Sequence, residues 1–256
     1  MNIDERIKSM ILKKFHHEIK SHKMESLKKS IRDHFPTKTM DEALSSLERL
    51  PDLPSWLKSA VTINETFFFR HPEQFDLVTD YFKSRKEEPL NILCLGVSSG
   101  EEAYSLYVAL REAGFSHFKI VGIDADAEKI EVAKKGVYSQ VSFQRVSGKY
   151  KDILVKYFSK KETPRGVVYE IHPEAKNFVR FNVGDIFKIT FSDQDLIFCR
   201  NILIYFTEEH RTKLLKKIYS RIKPGGLLVL GAGEMFTSDF VEREKSISSS
   251  VLKKVA

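Results

Sequence analysis

Apolar residues recur at three- and four-residue spacing over the first twenty positions, at Ile3, Ile7, Met10, Ile11, Phe15 and Ile19. That spacing predicts an amphipathic helix with Lys and Glu on its other face. A second helical pattern runs from about Met24 to Phe35 through Leu27 and Ile31 and stops before Pro36, as helices tend to. A third covers Met40–Leu50, Pro51-Asp-Leu-Pro54 breaks the pattern, and Trp56 and Leu57 begin a short connection. Further on the pattern changes to short apolar runs, Ile92–Leu95, Phe118–Asp124, Asp195–Cys199 and Leu227–Leu230, alternating with helical stretches at 72–85, from Glu101, at 126–136 and at 207–222. Short unbroken runs suit strands covered on both faces, and their alternation with helices predicts an α/β fold with a parallel sheet. Between Ser159 and Phe181 the rhythm shifts again. Lys160–Gly166 forms a turn, and Val167–Ile171 and Phe178–Phe181 read as short strands on either side of Pro173, a small antiparallel insertion at about 159–181. Residues 239–256 are expected to finish the sheet as a terminal hairpin.

The stretch Asn91–Leu106 concentrates the chemistry. Its strand ends in Gly96-Val-Ser-Ser-Gly100, small residues that let the backbone turn sharply beside a ligand, and a helix follows from Glu101. In open α/β sheets such a unit places the ligand at the helix N-terminus, beyond the carboxyl end of the strand. The loop lacks the Lys-Ser/Thr ending of a P-loop, and its Gly-x-x-x-Gly spacing is not the dinucleotide fingerprint. Glu101 and Glu102 would repel a pyrophosphate and tolerate a cationic ligand. S-adenosylmethionine meets that demand, having a sulfonium, an α-amino group and ribose hydroxyls but no phosphate. Asp124 closes the second strand 24 residues beyond Gly100, near the spacing at which an acid accepts hydrogen bonds from a ribose. Asp126 is the better N-cap for the helix beginning at Ala127. The pattern alone thus points to a methyltransferase.

Composition narrows the setting. With 256 residues and 42% apolar content, the chain can bury a domain of about 200 residues plus a smaller unit. No apolar run approaches the roughly 20 residues that span a bilayer, and residues 1–20 are too charged for a signal peptide, so no membrane insertion is expected. Cys94 and Cys199 both sit in strand-like runs and are expected to be buried free thiols in a cytoplasmic protein. Neither Cys-x-x-Cys nor His-Glu-x-x-His occurs, and no metal is expected. The net charge of +7 is concentrated early: residues 1–40 hold ten Lys/Arg against five Asp/Glu. Such a patch favours an acidic partner, be it nucleic acid, anionic lipid or protein, and is equally compatible with a solvated helical face. Phe67–Phe69 read as a buried aromatic turn, although aromatic faces also suit a sulfonium.

Four segments in series sharpen the picture: Thr62-Ile-Asn-Glu-Thr-Phe-Phe-Phe-Arg70, Gly96-Val-Ser-Ser-Gly-Glu-Glu-Ala-Tyr-Ser105, Gly122-Ile-Asp-Ala-Asp126 and Phe198-Cys-Arg-Asn-Ile-Leu-Ile-Tyr-Phe206, continued by Lys223-Pro-Gly-Gly-Leu-Leu-Val-Leu-Gly-Ala-Gly-Glu234. In this order they resemble the CheR-type chemotaxis receptor methyltransferases over nearly the whole chain. The resemblance implies a Rossmann-like class I S-adenosylmethionine-dependent methyltransferase domain at 61–256, a basic N-terminal helical domain at 1–60 and a small β-subdomain. It implies methyl transfer from S-adenosylmethionine to glutamate side chains on the cytoplasmic helices of chemoreceptors, giving methyl esters and S-adenosylhomocysteine. Cofactor contacts would fall on Asn64, Thr66, Arg70, Glu102, Asp124, Arg200 and Asn201. A further contact pair falls on Asp185 and Ile186, with Asn182-Val183 as the alternative. Arg70 and Tyr205 would stand near the incoming carboxylate, and Lys23, Lys28, Lys29 and Arg32 would dock the receptor. The expected protein is a monomer that binds no nucleic acid, since Arg200-Asn-Ile-Leu replaces the Asp/Asn-Pro-Pro-Tyr common in nucleic-acid amine methyltransferases. The turn at Lys160–Gly166 has one glycine, which argues against tethering through a receptor C-terminal pentapeptide. Methylation of RNA or a small molecule, and a non-catalytic cofactor-binding regulator, are the rival readings.

Overall fold

The computed structural model describes residues 2–62, 65–164, 166–234, 236 and 245–255. It divides into two compact units, Met1–Asn64 with Ile202–Leu215, and Glu65–Asn201 with Lys216–Ala256.

The first unit is helical: α1 (Ile3–Phe15), α2 (Met24–His34), α3 (Met40–Arg49) and α4 (Ser55–Val61). Its core collects the apolar stripe of each helix, including Ile7, Ile11, Leu27, Ile31, Leu44 and Leu57. Asn2 caps α1 by accepting the Glu5 N–H at 2.8 Å, and Thr39 with Glu42 forms a capping box on α3. The first helix ends at Phe15, short of the expected Ile19, because His16 turns into the left-handed region at φ 60°. The expected connection at Trp56 is instead helix α4. Residues 202–215 contribute a short helical turn at Leu203–Tyr205, and the Glu18 N–H donates to the Tyr205 carbonyl at 2.7 Å.

The second unit is built on strands β1 (Leu90–Leu95), β2 (Phe118–Asp124), β3 (Val137–Ser139), β4 (Phe158–Thr163), β5 (Gly166–Ile171), β6 (Val179–Val183), β7 (Gln194–Cys199), β8 (Ile222–Leu230), β9 (Lys245–Ser248) and β10 (Val251–Lys253). Its helices are α5 (Pro72–Tyr81), α6 (Glu101–Glu112), α7 (Ala127–Lys135), α8 (Lys149–Val155) and α9 (Glu208–Ser220), the last shared between the two units. Seven strands form one sheet in the order β6-β2-β1-β7-β8-β10-β9, parallel except where β10 runs against β8 and β9. Strand order reverses between β1 and β7, so the carboxyl ends of these two strands flank the topological switch point where α/β sheets take their ligands. β1 and β7 are the apolar runs read from the sequence and are covered on both faces. The exception is Asp195, whose carboxylate meets Arg85 at 2.8 Å, Lys223 at 2.7 Å and the Asn91 N–H at 2.9 Å.

The expected insertion needs redrawing. Val179–Val183, which overlaps the expected insertion at 159–181, lies parallel to β2 at the edge of the main sheet, with Val179 and Phe181 buried and Arg180 and Asn182 exposed. Alternation of this kind marks a half-buried strand without naming the sheet it joins. The small antiparallel sheet is β3-β5-β4, drawn from residues 137–139, 158–163 and 166–171. The terminal hairpin is β9 and β10; the portion expected at 239–244 lies outside the described residues. Cys94 and Cys199 are buried and free, and as neighbouring positions in the β1/β7 register, Cys94 opposite Phe198 and Cys199 opposite Leu95, they point to opposite faces of the sheet. Among the described residues no helix is long and apolar enough to cross a membrane, and no group of three metal-binding side chains occurs.

Candidate active site

The loop after β1 folds as its small residues allow. Gly96, Ser98 and Gly100 all have positive φ, at 69°, 48° and 92°. A Cβ on Gly100 would lie 2.8 Å from Ala133 Cβ and 3.0 Å from Phe181, so the position admits only glycine without displacement. Asp124, at the carboxyl end of β2, holds the loop from the side: Oδ2 accepts the Ser98 N–H at 2.8 Å and Oδ1 accepts the Asp126 N–H at 2.9 Å. Burial raises its carboxyl above the ordinary aspartate value, and the two N–H groups oppose that rise in part. Ser98 Oγ is buried without a partner. Asp126 caps α7, as the sequence suggested, by accepting the Glu128 and Lys129 N–H groups.

The paired glutamates separate into two tasks. Glu101, 3% exposed, turns inward and accepts hydrogen bonds from Ser99 Oγ at 2.7 Å, Ser142 Oγ at 3.0 Å and Thr66 Oγ1 at 3.4 Å. It therefore ties the glycine loop to the segment that carries Thr66, a role that its spacing beside Glu102 could not reveal. Glu102 faces Arg200, with Oε2 3.2 Å from Nη1. Burial raises the Glu102 carboxyl while Arg200 and Arg70 pull it down; burial likewise lowers the Arg200 guanidinium against the pull of Glu102.

Arg200 leaves the carboxyl end of β7 only 4% exposed, and its Nη2 donates to the Arg70 carbonyl. Nε and Nη1 have no hydrogen-bond partner in the protein. The Nη1 distance to Glu102 satisfies an ion pair but not hydrogen-bond geometry, so the contact is mainly Coulombic and the donors remain available. Asn201 follows in the left-handed region at φ 59°, its N–H donating to Glu234 Oε2 at 2.7 Å.

Arg70 sits at the end of the aromatic segment. Its Nη1 donates to the Glu65 carbonyl at 2.8 Å, and its guanidinium lies 5.9 Å from the Phe67 ring, which Arg145 approaches at 5.1 Å. Phe68 and Phe69 are buried and join the core of this unit, as an aromatic turn should, pinned by Phe68 N–H to Ser142 O at 3.0 Å and Phe69 N–H to Ser105 Oγ at 2.9 Å. On the other side, the Gly184 N–H donates to the Asp124 carbonyl at 2.8 Å, so the turn carrying Asp185 and Ile186 begins beside Asp124. Asp185 Oδ1 accepts the Phe187 N–H at 2.9 Å. Lys217, on α9, places its ammonium on three carbonyls of the turn, Ile186 and Phe187 at 2.9 Å and Ile189 at 2.6 Å. The alternative pair, Asn182 and Val183, lies on β6 opposite Ile123 and Asp124.

The second unit thus gathers Thr66, Arg70, Glu102, Asp124, Asp185, Ile186, Arg200 and Asn201 on the segments around the carboxyl ends of its central strands. Tyr205 belongs to the first unit, where its ring stacks on His17 at 5.2 Å, and Asn64 lies outside the described residues. The docking lysines, also in the first unit, are unequal. Lys28 is engaged by Asp4 at 2.8 Å and Glu25 at 2.7 Å, and Lys23 Nζ donates to the Val61 carbonyl at 3.2 Å, whereas Lys29 and Arg32 are exposed.

These donors and acceptors fit S-adenosylmethionine. Arg200 has buried donors that a carboxylate could take, Glu102 an acid that could face an ammonium or sulfonium, and Asp124 oxygens that could accept from a ribose. Fold and site define a class I S-adenosylmethionine-dependent methyltransferase. The family described as "CheR methyltransferase, SAM binding domain" matches residues 64–252, and the chain belongs to it. It is 30% identical over 203 residues to chemotaxis protein methyltransferase 2 of Pseudomonas aeruginosa, covering 76% of this chain and 71% of that protein. It is 29% identical over 203 residues to the chemotaxis protein methyltransferase of Salmonella typhimurium, at 76% and 69% coverage. To the probable biofilm formation methyltransferase WspC of Pseudomonas aeruginosa it is 32% identical over 205 residues, spanning 76% of this chain but 47% of that protein.

Proposed function

We propose that this methyltransferase esterifies glutamate side chains on the cytoplasmic helices of chemoreceptors, acting in the cytoplasm as a monomer. The observation that carries the cofactor half of this reading is the pair formed by Glu102 on α6 and Arg200 at the end of β7, 3.2 Å apart, whose acid suits the cationic centres of the methyl donor. When bound, S-adenosylmethionine supplies an electrophilic methyl group on its sulfonium. Asn64, Thr66, Arg70, Glu102, Asp124, Asp185, Ile186, Arg200 and Asn201 would hold it.

A glutamate carboxylate with an ordinary pKa of about 4.3 is already ionised at neutral pH, so the protein needs no general base. Its task is to align the carboxylate and exclude water, and orientation of that kind contributes on the order of 7–11 kcal/mol. Arg70 is the cation for the incoming carboxylate, with its guanidinium steadied by the Glu65 carbonyl and the Phe67 face. Attack consumes the negative charge, so an arginine gripping it too tightly would stabilise the ground state; Arg70 orients more than it activates. For Tyr205 the role near the acceptor comes from the family resemblance alone. With folding intact, Arg70→Ala and Tyr205→Phe should each lower kcat/KM at least about tenfold, or about 1.4 kcal/mol. Turnover within twofold of wild type in both variants would reject the assignment.

The acceptor reading rests on the basic N-terminal helices, where Lys29 and Arg32 present free charge to an acidic partner, with Lys23 and Lys28 beside them.

A further inference from the structure

β7 and β8 are neighbours in the sheet, and their last paired residues, Cys199 and Leu230, stand opposite each other. Beyond them both chains run on irregularly, as Arg200-Asn201 and as the turn Gly231–Glu234, in which the Glu234 N–H returns to the Gly231 carbonyl at 2.9 Å. Glu234 is 5% exposed, and one of its oxygens, Oε2, accepts two backbone donors, Asn201 N–H at 2.7 Å and Gly231 N–H at 2.8 Å. A carboxylate is thereby placed across the ends of two strands where the ladder itself has stopped. The approach needs glycine at 231, since a Cβ there would lie 2.7 Å from Asn201 Nδ2, 2.8 Å from Glu234 Oε2 and 2.9 Å from Asn201 N.

The bridge acts on one residue above all. Asn201 adopts φ 59°, the left-handed region that asparagine tolerates better than other non-glycine residues but that local hydrogen bonds must still select over the extended and right-handed alternatives. The charge-assisted bond to its N–H is one of these, roughly twice as strong as a bond between neutral groups. We propose that Glu234 is a positioning residue of the cofactor site: its carboxylate locks the turn at Asn201 and so fixes the direction in which Arg200 and Asn201 leave β7. The residue touches neither the acceptor nor the methyl group; it works through the two side chains that hold the methyl donor. This inference rests on the assignment of Arg200 and Asn201 to the cofactor.

The test uses the full chain, with S-adenosylhomocysteine titrated by calorimetry and methylation of a receptor cytoplasmic fragment followed at steady state. Glu234→Ala removes the acceptor from two buried N–H groups and should weaken S-adenosylhomocysteine binding about tenfold or more, with KM for S-adenosylmethionine rising in parallel and KM for the receptor unchanged. Glu234→Gln can present its amide oxygen to the same two donors and should recover affinity to within about threefold of wild type. Gly231→Ala attacks the bridge from its other side and should reproduce the cofactor-selective defect. The proposal is overturned if folded Glu234→Ala binds within twofold of wild type, or if both KM values rise together. Should Glu234→Ala not fold, wild-type affinity in folded Gly231→Ala overturns it equally. A wild-type protein that does not bind S-adenosylhomocysteine at all would overturn the cofactor assignment beneath it, which the variants alone would not touch.

Discussion

A guanidinium that is 4% exposed and has two unpartnered donor atoms is expensive to keep unless a charge meets it, and Glu102 at 3.2 Å meets Arg200 only in part. The proposed contact of Arg200 with the cofactor uses those two donor atoms. Arg200→Lys, which retains the charge but loses the planar donor set, should weaken S-adenosylhomocysteine binding at least about tenfold in calorimetry. An affinity within twofold of wild type would remove Arg200 from the cofactor. A second buried charge, the Asp195 carboxylate paired with the half-buried Arg85 and the partly exposed Lys223, has a structural task. Burial alone would raise the Asp195 carboxyl, but Lys223, the Asn91 N–H and Arg85 outweigh it and hold it below the usual aspartate range. A depressed acid contributes stability above its unfolded pKa, about 3.9, and loses that contribution as pH falls through the lower folded value. Asp195→Asn should therefore melt well below wild type at pH 7, with the gap closing under about pH 4 in calorimetric scans; a gap constant down to pH 3 would contradict the assigned cause. The positions of Asp124 at the end of a strand and of the glutamate pair after a glycine turn were legible in the sequence, but spacing did not separate the tasks of Glu101 and Glu102. The tasks of Glu101 and Glu234 were not legible, since their partners lie on segments that no spacing rule connects to them.

At the scale of elements, the unbroken runs of β1 and β7 and the helical spacings identified most of the sheet and its helices. β6 was harder. Its alternation of buried Val179 and Phe181 with exposed Arg180 and Asn182 reads equally as a hairpin strand or as the edge of the main sheet, and only the pairing with β2 decides. The Asp185–Ile186 turn shows the same limit from another side. Lys217 holds it through three carbonyls, yet it stands 31 residues from Ile186, and one more lysine on an amphipathic helix gives no sign of that task. Burial lowers the Lys217 ammonium, an effect that Asp185 partly offsets, and the three carbonyls complete its donor set. Lys217→Met keeps the stem and removes the donors. It should loosen the turn and weaken S-adenosylhomocysteine binding severalfold while leaving the helical content of the far-UV spectrum unchanged. Unaltered affinity would favour Asn182-Val183, which the β2 ladder holds, as the contacting pair.

For the whole molecule, the proposed docking residues lie in the first unit and most of the proposed cofactor residues in the second. The basic patch was plain from composition, but which of its cations are free was not, because Lys28 is neutralised by Asp4 on a different helix and Glu25 on its own. Lys29 and Arg32 are therefore the better probes. Reversing both to Glu should raise KM for a receptor fragment about tenfold, reduce the salt dependence of kcat/KM and leave S-adenosylhomocysteine affinity unchanged; unaltered receptor kinetics would remove these helices from docking. The central claim, esterification of receptor glutamates, is tested most directly by incubating the full chain with methyl-labelled S-adenosylmethionine and a chemoreceptor cytoplasmic fragment, then treating the product with mild base. The account predicts label on the receptor that base releases as methanol. Base-stable label, label on added RNA in place of the receptor, or cofactor binding without transfer would contradict it.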